Sequence, residues 1–122
     1  MKTIILIASQ PAWEQAQAKS EYTQSTITST LAGVGFIHAT FPDQTIEVLP
    51  RFKDRDDVIL LLVDADKVTA PIKYEAALSG RPGTFPHIYG ALNTDAVYRV
   101  VPLAKDKNGN FIEPEELRAA RA

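Results

Sequence analysis

An α+β fold is predicted for this chain, and three observations predict it. The apolar runs are of strand length, the longest of them being Val58–Val63. Interior helix-start signals occur at two places, Pro11 and Pro42-Asp43. Gly, Pro and Asn-Gly turn signals punctuate the rest, and several short strands with modest helices between them suit an α+β layout. The 122 residues read as one domain, 1–122, with a folded core over 1–112 and a polar C-terminal tail over 113–122. A chain of this size buries roughly two-thirds of its unfolded surface, enough for one hydrophobic core without a covalent staple.

Each element has a local reason. Ile4–Ala8 forms a first buried strand, closed by Ser9, Gln10 and Pro11. That run is shorter than the roughly 7–15 apolar residues of a signal peptide, and no run approaches the roughly 18 of a membrane span. A cytoplasmic protein without membrane contact is therefore expected. Pro11 suits the first turn of a helix, Glu14 complements its dipole, and Ala12, Trp13 and Ala16 supply its apolar face. Residues 21–40, rich in Thr and Ser, favour extended structure broken by Gly33 and Gly35, with a strand at Phe36–Ala39. Pro42 and Asp43 open a second helix carrying Ile46 and Leu49, which Pro50 ends or kinks. Val58–Val63, apolar throughout, is the central strand, buried on both faces. Ile72 and Tyr74 alternate with Lys73 and Glu75 in a further strand, and His87–Tyr89 and residues 96–103 supply two more. Asn108-Gly109 signals a hairpin, and the tail ends in a helical turn.

Composition excludes several chemistries. The chain has no cysteine, which removes disulfides, thiolate nucleophiles and zinc-thiolate sites. Thirteen Lys and Arg against fifteen Asp and Glu give a net charge of -2, so there is no general attraction to phosphate backbones or anionic lipid, and no nucleic-acid partner is indicated. Gly33-Val34-Gly35 lacks the third glycine of a dinucleotide fingerprint and precedes a strand instead of a helix. Asp64 and Asp66 are turn residues after a buried strand.

The two histidines have similar settings. Strand alternation puts Phe36 and His38 on one face with Ile37 opposite, and His87 and Tyr89 on one face with Ile88 opposite. If the two faces look onto one cleft, two imidazoles, a phenol and the Thr40 hydroxyl converge there. Residue type alone favours the other account, that both are buried, hydrogen-bonded histidines closing turns. Glu75 offers a general base or a ribose-binding carboxylate, or else a solvated edge-strand acid. Arg51 offers a phosphate contact or else a surface ion pair.

The ordered blocks Gly35-Phe36-Ile37-His38, Arg51-Phe52, Tyr74-Glu75 and Phe85-Pro86-His87-Ile88-Tyr89-Gly90, with Trp13 before them, resemble the small bacterial family called domain of unknown function 952. The resemblance spans nearly the whole chain. It implies a split, mostly antiparallel sheet with two or three short helices, similar to the ADP-ribosyltransferase fold, and a nucleotide- or NAD-sized cleft between its halves. It also implies catalytic roles for Glu75, His38 and His87, and ligand-binding roles for Thr40, Arg51 and Tyr89. The chain departs from the family at Ile5 and Leu6, where tyrosine and histidine are usual, at Ala39, usually cysteine, and at Tyr74, usually tryptophan. The expected function is binding of a nucleotide- or NAD-like ligand without turnover. The alternatives are cleavage of an NAD glycosidic bond and a two-histidine, one-carboxylate metal site from His38, His87 and Glu75.

Overall fold

The computed structural model describes residues 1–121. It contains eight strands and four α-helices, with no α-helix between the strands at Val58–Asp64 and Val97–Pro102, and every strand pair is antiparallel. Strands β1 (Thr3–Ser9), β4 (Val58–Asp64) and β8 (Val97–Pro102) form one sheet with β4 in the centre. Strands β3 (Ile37–His38), β6 (Thr84–Ile88) and β5 (Ile72–Ala76) form a second, with β6 in the centre. Strands β2 (Glu21–Tyr22) and β7 (Leu92–Asn93) make a two-residue pair.

The two larger sheets meet at one backbone bridge, where Ile5 and Thr40 exchange N–H···O bonds of 2.8 Å in each direction. This junction sits immediately after the first histidine strand and sets that strand against the centre of β1.

Strand β4 is the central strand expected, and its alternation serves two cores. Ile59, Leu61 and Val63 face one apolar cluster with Trp13, Tyr22, Ile37 and Ile88. Val58, Leu60 and Leu62 face another with Ile5, Leu49, Val101 and Leu117. In β1, Ile4, Leu6 and Ala8 belong to the first cluster, while Ile5 belongs to the second. A continuous apolar run is what a strand covered on both faces requires.

Helix α1 (Gln10–Lys19) starts as its sequence dictates. The Ser9 hydroxyl accepts from the Ala12 N–H, Pro11 occupies the first turn, and Trp13 and Ala16 are buried. Helix α3 is one turn, Thr45–Val48, and Pro50 does not end it abruptly but tightens it into a 3-10 turn over Leu49–Phe52.

Three expectations are corrected. Residues 21–34 are not extended: beyond β2 they fold into turns and the short helix α2 (Leu31–Val34). Their hydroxyls turn inward onto local backbone, with Thr30 Oγ1 accepting from the Gly33 N–H and Thr26 Oγ1 from the Thr28 N–H, the competition by which Ser and Thr draw chain away from a ladder. The Asn108-Gly109 turn closes with a single bridge, Lys105 to Phe111, because Asp106 captures the Asn108 and Asn110 N–H groups itself. Residues 115–121 are helical, as expected of the tail, but they do not lie outside the folded core. They form α4 (Glu115–Arg121), whose Leu117 is fully buried in the second core.

Candidate functional site

The histidines meet because their strands pair in register. Ile37 lies opposite Ile88 and His38 opposite His87. Both isoleucines are completely buried in the first core, which sends both imidazoles to the other face. Their ring centroids are 5.4 Å apart, edge to face. Phe36 stacks on His87 at 4.1 Å and leans on His38 at 4.8 Å and Tyr89 at 5.2 Å. Gly35 closes α2 with φ of 104°, a left-handed turn that glycine adopts without strain.

His87 is held from behind. Its Nδ1–H donates to Glu75 Oε1 at 2.9 Å, and the Tyr89 hydroxyl donates to the same oxygen at 2.6 Å. These two hydrogen bonds, Tyr89 first, hold the Glu75 carboxyl below its ordinary range, and the same contact pushes the Tyr89 phenol up. An ionised carboxylate only accepts, so Nδ1 of His87 carries a proton, and in the neutral ring the lone pair is then on Nε2. That Nε2 is buried and meets no protein donor. Leaving a buried polar atom unpaired costs about 1–3 kcal/mol.

His38 is held differently. Its Nδ1 lies 2.9 Å from the hydroxyl of buried Ser25. Burial lowers its pKa most, the neighbouring His87 lowers it further, the Ser25 backbone opposes them, and Arg51 lowers it again.

Beside the imidazoles lies a cavity of about 280 Å³. Ile5, Ile27 and Phe85 supply apolar wall, and His38, Thr40, Arg51 and His87 all line it. Four of the six residues anticipated from sequence therefore share one cavity. Glu75 and Tyr89 do not line it: Glu75 bonds His87 from behind, and Tyr89 bonds Glu75. Thr40 faces it, with its hydroxyl already 2.7 Å from that of Thr45.

Sequence reasoning missed Ser25 and Arg81. Ser25 sits in the turn-rich stretch assigned to extended chain, and Arg81 in the loop after β5, where only its charge was visible. Neither Arg51 nor Arg81 forms an ion pair among the described residues. Ile5 lines the cavity, whereas Leu6 points into the first core. No group of three or more His, Asp or Glu side chains among the described residues is placed to share a metal ion. The carboxylate of the anticipated triad is spent on His87 Nδ1.

A small α+β protein with a largely apolar cavity, two imidazoles and two unpaired guanidiniums at its wall is the class this geometry defines. The chain belongs to the family described as a protein of unknown function, DUF952, which matches residues 7–100. It is similar to the crystal structure of protein CC0527 from Caulobacter crescentus, with 28% identity, coverage of 95% of this chain and 98% of that one, and a TM-score of 0.80. It is also similar to the solution structure of CC0527, with 30% identity, coverage of 90% and 91%, and a TM-score of 0.73. No curated protein matches the chain.

Proposed function

We propose that the cavity binds a phosphate-bearing nucleotide or a related small anion, without turning it over. The observation that carries this reading is the pair Arg51 and Arg81 at the wall of a largely apolar cavity, neither neutralised by a carboxylate. Guanidinium groups match phosphate oxygens bidentately, and apolar wall such as Ile27 and Phe85 suits a base or similar ring. Small-molecule sites commonly enclose about 300–1,000 Å³. A cavity of about 280 Å³ thus takes a mononucleotide-sized portion, and a dinucleotide such as NAD would extend beyond it.

The two three-stranded sheets, joined at Ile5 and Thr40, are read as a split sheet of ADP-ribosyltransferase-like type. Cleavage of an NAD glycosidic bond is the weaker reading. It needs a carboxylate facing the developing positive charge, and Glu75 Oε1 is turned to His87 and Tyr89.

Calorimetry with adenosine 5′-monophosphate at low and moderate salt tests the binding. The expected result is measurable affinity that weakens with salt and falls about tenfold or more when Arg51 or Arg81 becomes alanine. Equal affinity for adenosine and its monophosphate would remove the reading. Release of nicotinamide from NAD by the purified protein would replace it with the enzymatic one.

A further inference from the structure

We infer that His87 Nε2 is the recognition point for a hydroxyl group on the bound anion, so that the cavity selects hydroxylated phosphates over phosphates lacking a hydroxyl. This rests on the anion-binding reading above and adds the second half of the ligand's chemistry.

The argument starts at the ring's far side. Glu75 fixes the Nδ1–H tautomer, and Tyr89, donating to the same oxygen, keeps that oxygen on the ring. Phe36, stacked at 4.1 Å, blocks one face. The His87 side chain is only 2% exposed and lines the cavity, and its Nε2, an acceptor in the neutral ring, has no hydrogen-bond partner. A nitrogen held this way accepts from an O–H or N–H and repels another acceptor. The oxygens of a phosphate dianion are acceptors only, so the dianion that prevails above its second pKa of about 6 does not satisfy it, and Arg51 and Arg81 are the groups that suit the anion. A hydroxyl carried by the same ligand suits the nitrogen.

The neighbour next to it is His38, edge-on at 5.4 Å. That ring is half-buried and held at Nδ1 by Ser25, and it stands beside Nε2 without bonding it. Glu75 and Tyr89 are positioning residues, since Glu75 bonds His87, Tyr89 bonds Glu75, and neither lines the cavity.

Histidine 15N spectra and paired ligands test this. In the free protein His87 should show a protonated Nδ1 and an unprotonated Nε2, and Glu75→Gln should erode that preference while His38 keeps its own signals. Glycerol 3-phosphate should shift the Nε2 resonance and bind at least tenfold more tightly than propyl phosphate, and the difference should vanish in His87→Phe. Adenosine 5′-monophosphate should behave like glycerol 3-phosphate. An Nε2–H tautomer in the free protein overturns the inference, as does equal affinity for the two small phosphates or no Nε2 shift with any of the three. If glycerol 3-phosphate shifts Nε2 and the nucleotide does not bind, the nucleotide reading fails while the hydroxyl selection stands.

Discussion

At His38, a single residue links the site to stability. Its pKa is lowered in the fold, by burial first and by His87 and Arg51 in addition, with the Ser25 backbone in opposition. The unfolded chain therefore binds a proton at His38 more readily than the folded one. The contribution of neutral His38 is complete above its unfolded pKa of about 6.5 and is lost as pH falls through the lower folded value. Urea midpoints measured between pH 7.5 and 5 should fall on acidification, and His38→Gln should flatten part of that slope. An unchanged slope would show that the ring is not penalised on protonation. Glu75 behaves in the same direction at lower pH, because Tyr89 and His87 both stabilise its ionised form. Its contribution is present above the ordinary carboxylate range and disappears as pH falls through its depressed pKa. Tyr89→Phe removes the larger of those two hydrogen bonds, so an NMR titration of Glu75 should show its pKa moving back up. No movement would mean that the 2.6 Å contact is not maintained in solution.

Strand β6 shows how an element turns local chemistry into placement. Pro86 cannot donate to a ladder, yet its carbonyl accepts from the Ala39 N–H at 3.0 Å, and His87 and Ile88 complete the pairing with β3. Just beyond, Gly90 lets the chain turn away with φ of 154°, and a Cβ there would stand 2.9 Å from that of Ala70. Gly90→Ala should cost about 1–3 kcal/mol in equilibrium unfolding, and adding Ala70→Gly should restore part of it by relieving the contact. If the double variant recovers nothing, the backbone angle alone is responsible. The opposed isoleucines were legible in the sequence because strand alternation has a period of two, and Ile37 and Ile88 obey it. The turns at Thr26 and Thr30 were not legible. A threonine that supports an extended strand and one that caps a turn look the same until the partner N–H is known.

The whole molecule is closed by the segment whose sequence says least. In 113–121, Leu117 is the one large apolar residue, so no periodicity announces a docked helix, just as a lone arginine in a loop did not announce Arg81 as cavity wall. Tertiary context decides both cases: β4 needs cover on its second face, and Leu117 completes the cluster that includes Leu60, Leu62 and Val101. Two kinds of contact compete as the reason α4 stays in place. One is Leu117, with no exposed surface. The other is ion pairing at the surface, Arg121 with Glu113 and Glu116 with Arg99 of β8, all exposed or partly exposed. Magnitudes separate them, since emptying a buried leucine site costs about 2–5 kcal/mol whereas a surface pair is worth about 0–1 kcal/mol. Leu117→Ala should therefore lower the urea midpoint substantially and raise amide exchange in β4 and β8, with Arg121→Ala close to the parent protein in both measurements. Equal and small effects from the two substitutions would mean that the second core holds without α4, and β4 would then owe its stability to the first core alone.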